Sequence, residues 1–396
     1  MIPRLAVKDE CNGCEACARA CASNSIDMAE DACGFRYPRV GPGCNECGVC
    51  TSVCPALRTP STSGRWPAPR VFGAFHTTAE VRADSSSGGV FSLFAEHILA
   101  WGGVVAGALL DDNLEVRHSV VTEAAGVHRL RGSKYLQSHI GPVFRQLRQA
   151  MAQGRPALFV GTPCQVAGLY GFLRKDHDPL ITVDLVCHGV PSRRFFEKYI
   201  RHHEGDSGDK VVSVNFRDKR SGWKDFGVAL QLKSGREILT PFEHDWFMRG
   251  FLQNIALRPS CYRCQFNRVP RVGDITLGDF WGIGEVDAQL DDGNGCSLVL
   301  VNGEKGGRLF DGVRARLVTR EHRFDDALRR NPHVVSSAET HPRTAQFYRD
   351  LESSPFEHVV KNYLGERSSF RRLRSAIRRT LGRRLGDIVR SAVGDR

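Results

Sequence analysis

The apolar positions change rhythm along the chain, and each rhythm predicts an element. Val90, Leu93, Phe94, Ile98 and Trp101 recur at intervals of three or four, the period of a helix with one buried face. They follow Ser85-Ser86-Ser87-Gly88-Gly89, a run of hydroxyls and glycines suited to a helix start. Val104 to Leu110 and Glu115 to Val121 then read as two strands about the turn Asp111-Asp112-Asn113. Further on, Ala157-Leu158-Phe159-Val160 is a short apolar run that stops at Gly161-Thr162-Pro163-Cys164. A helical pattern continues to Leu173, and a second run, Leu180 to Val186, ends in Cys187-His188-Gly189. Strand, helix, strand predicts a right-handed crossover with parallel strands. It puts Cys164 and Cys187 at the carboxyl edge of the sheet, where open α/β folds bind ligands. Neighbouring strands about 4.8 Å apart would bring both thiols to one site.

The first 54 residues have no such rhythm and are dominated by cysteine, with nine of the chain's 14. Cys11, Cys14, Cys17 and Cys21 form C-x2-C-x2-C-x3-C, and Cys44, Cys47, Cys50 and Cys54 repeat it, with Pro55 completing the second run. This is the signature of a two-cluster ferredoxin, in which the fourth cysteine of each run serves the other cluster. Cys11, Cys14, Cys17 and Cys54 should therefore hold one 4Fe-4S cluster, and Cys44, Cys47, Cys50 and Cys21 the other. Paired C-x2-C knuckles also bind zinc, but the third cysteine at the same interval favours iron–sulfur chemistry. Ala22 replaces the proline expected after the first run, and 22 residues separate Cys21 from Cys44, a longer spacer than in minimal ferredoxins. Cys33 lies outside both motifs and reads as a small buried residue. Ala56 to Arg70, rich in Pro, Ser and Thr, reads as a linker.

The body adds its own thiols. Cys261-Tyr262-Arg263-Cys264 is a C-x2-C pair, and with Cys164 and Cys187 it offers a third cluster site; on spacing alone, inert buried thiols are the favoured reading. Cys296 reads as strand core. The Ser85–Gly89 turn suits a phosphate at a helix N-terminus, with a plain serine N-cap as the equal alternative. Lys134, in Gly132-Ser133-Lys134-Tyr135, reads by itself as a solvated loop cation. His188 suits proton handling or a hydrogen bond within its loop.

At 396 residues, 41% hydrophobic and 25% charged, the composition excludes a disordered, collagenous or coiled-coil chain. The longest apolar stretch, Leu93 to Leu110, is interrupted by Glu96 and His97, so a soluble protein of a reducing, cytoplasmic compartment is expected. The net charge of +11 is mostly a property of the end: residues 366–396 hold ten arginines and three acids. There Phe370, Leu373, Ile377, Leu381, Leu385 and Ile388 step by three or four, a basic amphipathic helix for the inner face of an anionic membrane or an acidic partner, or else packed on the body. Nucleic acid is the third choice. A zinc-structured nucleic-acid binder is accordingly the alternative of a different class.

Seven segments in order carry a resemblance: Ser85 to Phe91, Arg131 to Tyr135, Gly161 to Gln165, Asp184 to Pro191, Phe216 to Trp223, Arg258 to Phe266 and Asp274 to Gly282. The chain resembles the beta-subunit family of coenzyme F420 hydrogenases and formate dehydrogenases, in the branch with an N-terminal ferredoxin domain. The resemblance implies an FAD- and 4Fe-4S-dependent oxidoreductase that moves electrons between a hydride carrier, a deazaflavin of the F420 type, and iron–sulfur clusters. It also implies a redox partner protein, and it makes Cys164, Cys187, Cys261 and Cys264 ligands of a third cluster. Ser86, Ser87, Gly88, Gly89, Lys134, Gly161, Thr162 and Pro163 become contacts to FAD, and Asp279, Phe280 and Trp281 line the flavin or coenzyme pocket. No G-x-G-x-x-G locates the dinucleotide independently. An electron-relay subunit without its own substrate, or a redox partner in polysaccharide biosynthesis, is the alternative.

The expected fold class is α/β (α+β overall): a two-cluster ferredoxin-like head fused to a mixed α/β flavin-binding core, with a basic helical C-terminal tail. The expected divisions are the head at 1–60, a linker at 61–70, family domains at 71–155 and 156–345, and a helical tail at 346–396.

Overall fold

The computed structural model describes residues 3–205 and 208–365. The arginine-rich segment 366–396 and its amphipathic pattern lie outside the described residues. The fold is mixed α/β. In the head, β1 (Ile26–Glu30) and β2 (Arg36–Val40) pair as an antiparallel hairpin that fills the long spacer between the two cysteine runs. Its turn is closed by Asp31, whose carboxylate accepts the backbone N–H groups of Cys33 and Phe35.

The body is built on one eight-stranded sheet. Its strands are β3 (Arg65–His76), β4 (Val104–Leu110), β5 (Val116–Val121), β6 (Ala157–Val160) and β7 (Leu180–Leu185). A second small sheet follows, with β8 (Val211–Asp218), β9 (Gly227–Leu232) and β10 (Glu237–Pro241), before β11 (Ile275–Asp279), β12 (Ser297–Gly303) and β13 (Leu317–His322) complete the first. The large sheet runs β13-β3-β12-β11-β7-β6-β4-β5. Its centre, β4, β6, β7 and β11, is parallel, and antiparallel strands close both edges. The predicted crossover is present: β6 and β7 pair side by side and in parallel, with Phe159 opposite Thr182, joined by the helix Pro163–Leu173. Strands from both sides of residue 155 share this one sheet.

The linker ends earlier than its composition predicts, because Arg65 to Arg70 belong to β3. The register with β12 passes from Arg70 directly to Arg65, and pairing with β13 begins at Val71, so Trp66 to Pro69 form no ladder pairs. Prolines, which lack the N–H a ladder needs, are tolerated there.

Two helices, Val90–Ala100 and Glu304–Val313, pack on one another beside the sheet, and the fully buried Leu93, Phe94 and Ile98 follow the predicted stripe. The helices Arg193–Glu204, Trp246–Leu252 and Phe356–Leu364 gather over the small sheet around Phe195, Phe216 and Phe247. No helix among the described residues is long and apolar enough to cross a membrane.

The head lies against the crossover helix. A Cβ on Gly168 would meet Cys14 Cβ and Sγ at 3.0 Å, and one on Gly171 would come within 2.2 Å of the Val53 carbonyl oxygen, so these two glycines permit the approach. Polar contacts fasten it. The Glu15 carboxylate accepts the Ile140 and Gly141 N–H groups at 3.1 and 3.3 Å. Gln137 Nε2 donates to the carbonyls of Asn12 and Gly13 at 2.9 and 3.0 Å.

Candidate functional site: a cleft walled by thiols

At the carboxyl edge of the parallel strands lies a cleft of about 550 Å³, within the range of small-molecule and cofactor sites. The turns after β6, β7 and β11 supply its wall, as the crossover requires. Most residues singled out from the sequence meet here: Ser86, Ser87, Gly89, Lys134, Gly161, Thr162 and Pro163 line it, as do Asp279 and Trp281 and all four of Cys164, Cys187, Cys261 and Cys264.

Two do not line it. Phe280, just after β11, is fully buried in the cluster of Val71, Ile283 and Leu298, with its ring edge-on to His322. Asp279 ends β11 and Trp281 stands in the turn after it, and both line the cleft, whereas Phe280 between them is packed into that cluster. Gly88 is a packing glycine: a Cβ would lie 2.3 Å from the Ala74 carbonyl oxygen, and its N–H donates to Ser297 Oγ.

Several others use their polar atoms within the wall. The Lys134 ammonium donates to the carbonyls of Ala108, Arg131 and Leu130 at 2.8, 2.8 and 3.0 Å, and burial pushes it down to about 7. It is a buried tie for its loop rather than a solvated cation. Ser86 Oγ accepts the Ser133 N–H at 2.7 Å, and Ser87 Oγ donates to the Cys296 carbonyl at 2.9 Å. No serine caps the helix Val90–Ala100, whose N-cap is Gly89 in the left-handed conformation. Thr162 and Gln165 form a capping box at the start of the crossover helix, and Thr162 Oγ lies 3.2 Å from Cys164 Sγ. His188 Nε2 bonds Asn254 Oδ1 at 2.5 Å, the bland loop role.

One cation escapes assignment from the sequence although it stands in a quoted segment. Arg217 is buried and pairs with Asp279 at 3.1 Å, donates to the Ser86 carbonyl at 3.2 Å and lies 4.1 Å over the Phe226 ring. Asp279 also accepts the Trp223 indole N–H at 2.9 Å, and Trp223 stacks on Trp281 at 4.7 Å and 4°. These bonds fix Asp279 and Trp281 in the wall. Four lining side chains nevertheless keep a buried polar atom without a partner: Arg217 Nε, Ser260 Oγ, Asn267 Oδ1 and Asn12 Oδ1. Buried polar groups are normally satisfied, and these atoms have hydrogen-bonding capacity left for a polar group in the cleft.

The thiols gather in sets. Burial pushes Cys187 well above its ordinary range, followed by the nearby thiols of Cys261, Cys164 and Cys264. Burial likewise raises Cys164 to about 11, with Cys264 the next cause, and Cys261 to about 12. In the head, burial raises Cys17 to about 12, and Cys11 and Cys54 add to it. Cys14, raised well above its range by burial, feels Cys17 and Cys54 and also Cys164 across the head–body contact. The second head set is more open: Cys50 is raised by burial with Cys44 among the causes, Cys21 accepts the Ser25 N–H at 3.3 Å, and Cys47 is exposed. Among the described residues no three His, Cys, Asp or Glu side chains close around a single metal ion.

Cys33 is only partly buried, on the hairpin turn after Asp31, rather than the small buried residue expected, and Cys296 is buried beside β12. Arg258, which the sequence leaves without a role, is fully buried and bonds the Cys11 carbonyl at 2.7 Å.

No curated protein matches the chain. Among solved structures it is similar to a chain of the xenon-derivatised F420-reducing NiFe hydrogenase complex from Methanosarcina barkeri. That likeness has 17% identity, covers 76% of this chain and 93% of that one, and has a TM-score of 0.46. Residues 154–326 match the family model for the C-terminal part of the coenzyme F420 hydrogenase/dehydrogenase beta subunit. Cys164, Cys187, Cys261, Cys264 and Asp279 all lie inside the matched span, so the segment that supplies most of the cleft wall is the part of the chain similar to the F420 hydrogenase/dehydrogenase beta subunit.

Proposed function

We propose that the protein is an iron–sulfur flavoprotein oxidoreductase that moves electrons between a hydride carrier and 4Fe-4S clusters. The observation that carries this reading is one cleft lined by four cysteines and by four side chains with an unpartnered polar atom. The donor sets fit the groups. Four soft sulfurs suit an iron–sulfur cluster, whose binding deprotonates thiols that burial otherwise keeps neutral. A cleft with unpaired donors and acceptors and an aromatic wall suits a flavin dinucleotide. FAD bound there would supply hydride exchange with a deazaflavin of the F420 type and single-electron exchange with the clusters.

The chain's own residues organise the site. Trp281, backed by Trp223, offers a flat apolar surface, and Asp279, held by Arg217, sets the polar edge beside it. The crossover helix joins the two buried thiol sets, since Cys164 opens it and Gly168, one turn on, touches Cys14. The more open second set, with Cys47 exposed, suits exchange with a redox partner protein. In this reading residues 1–60 act as the ferredoxin domain, the family core follows, and the basic tail is the candidate contact to an anionic membrane or acidic partner.

Anaerobic purification should yield flavin absorbance and about twelve iron atoms per chain, four for each of three clusters. Bleaching of both chromophores by chemically reduced deazaflavin would support the carrier. Bleaching only after a partner protein is added would make this a relay subunit, and stoichiometric zinc without flavin would overturn the reading. Arg217→Ala is expected to weaken flavin binding about 10- to 100-fold, the effect of one charge-assisted hydrogen bond. Fluorescence titration of the deflavinated holo-cluster protein measures it, and unchanged affinity would remove Arg217 from the site.

A further inference from the structure

The protein buries several arginines, and one differs from the rest. Arg65, Arg82, Arg217 and Arg271 each pair with an aspartate: Asp274 at 3.0 Å, Asp292 at 2.6 Å, Asp279 at 3.1 Å and Asp184 at 3.0 Å. Arg258 is fully buried, yet among the described residues no carboxylate pairs with it. Its guanidinium donates to the carbonyls of Cys11 and Arg36 at 2.7 and 3.0 Å and to Gln137 Oε1 at 2.8 Å, and it lies 4.3 Å over the Tyr37 ring. These neutral partners satisfy its N–H groups but leave its charge uncompensated. An unpaired buried charge is strongly unfavourable, so a countercharge is expected nearby.

The nearest candidates are sulfurs. Arg258 Nη2 reaches Cys11 Sγ at 3.8 Å on the head side. On the body side its carbonyl accepts the Cys261 N–H at 2.9 Å, so the same residue is fixed at the start of the second C-x2-C pair. The guanidinium thus stands between the two buried thiol sets.

We propose that Arg258 is the countercharge shared by two thiolate-held clusters, one at Cys11, Cys14, Cys17 and Cys54 and one at Cys164, Cys187, Cys261 and Cys264, and that it raises the reduction potential of both. This rests on the reading that these thiols hold iron–sulfur clusters. A cluster bound by four thiolates is a net anion. Its reduction adds one electron, makes or breaks no bond to the protein, and deepens the negative charge. A fixed cation in a dry interface stabilises that added charge, with little screening by salt. Arg258 acts through the field at the clusters and is a positioning and tuning residue.

The test is a dithionite titration, with mediators and followed by electron paramagnetic resonance, of the anaerobically purified full-length protein with its iron counted. Arg258→Gln should make the two adjacent clusters about tenfold harder to reduce, a fall of about 59 mV for one electron. The cluster of Cys44, Cys47, Cys50 and Cys21, which Arg258 does not touch, should keep its potential, and Arg258→Lys should restore most of the shift. Gln137→Glu places a carboxylate against the intact guanidinium and should lower the same two potentials. It decides the matter if Arg258→Gln loses its iron. Unmoved potentials in both variants, or an equal shift in all three clusters, would overturn the inference. A wild-type chain without iron would instead overturn the functional reading on which it stands.

Discussion

Replacing Cys187 and Cys261 together with alanine is expected to cut iron from about twelve to about eight atoms per chain while the head clusters persist. The two thiols come from different elements, one after β7 and one from the short 3-10 turn Pro259–Arg263, and both line the same cleft as Cys164. With two of four ligands gone, no cubane can be held. Since the same side chains wall the cleft, any bound flavin should lose its route to the head and remain reduced after the deazaflavin is added. Iron analysis and stopped-flow absorbance read the two effects separately. Cys33→Ala and Cys296→Ala are the controls, because neither thiol belongs to a set. Twelve iron atoms in the double variant would return the body thiols to inert packing.

The second large effect is on stability. Arg271 and Asp184 are both fully buried. Arg271 also donates to the carbonyls of Leu185 and Val334 at 3.0 Å each, while Asp184 accepts from Thr276 Oγ1 at 2.6 Å and the Gly273 N–H at 3.0 Å. The pair therefore pins the segment after Cys264 to β7, the strand that leads into the turn of Cys187. Arg271→Leu removes one partner and leaves the Asp184 carboxylate buried and unpaired, a cost of about 3–5 kcal/mol. Denaturant unfolding of the purified protein should show that loss, together with a lower iron content at the body site. By contrast, Arg70→Leu breaks a bidentate pair with Glu321 that stands about half exposed, at 43% and 47%, and should cost less than about 1 kcal/mol. Equal losses in the two variants would refute the buried network as the clamp.

Much of the frame is legible in the sequence. The helix at Val90, the two strands after it and the β6–helix–β7 crossover follow from the period of apolar residues, because a helix or strand buries one face and the pattern of that face is local. The same crossover places Cys164 and Cys187 together at a sheet edge. Where sequence and structure differ, the reason is also local. Arg65 to Arg70 carry linker composition because four of them sit in a gap in the ladder. Phe280 groups with its neighbours in sequence although its ring is spent on the apolar cluster of Val71, Ile283 and Leu298. Lys134 reads as solvated because nothing in its own loop reveals that the Ala108 carbonyl, on another strand, helps bury its ammonium.

Local spacing reveals the elements from Val90 to Val121, the crossover from Ala157 to Val186 and the two repeated cysteine runs, since each depends on intervals of a few residues. It takes the tertiary structure to show that Cys261 and Cys264 line one cleft with Cys164 and Cys187, that Arg217 joins Asp279 across 62 residues, and that Arg258 reaches Cys11 across 247. Those meetings depend on strand order and on the docking of the head. Both are set by burying whole faces against each other, a condition that no short window of sequence contains.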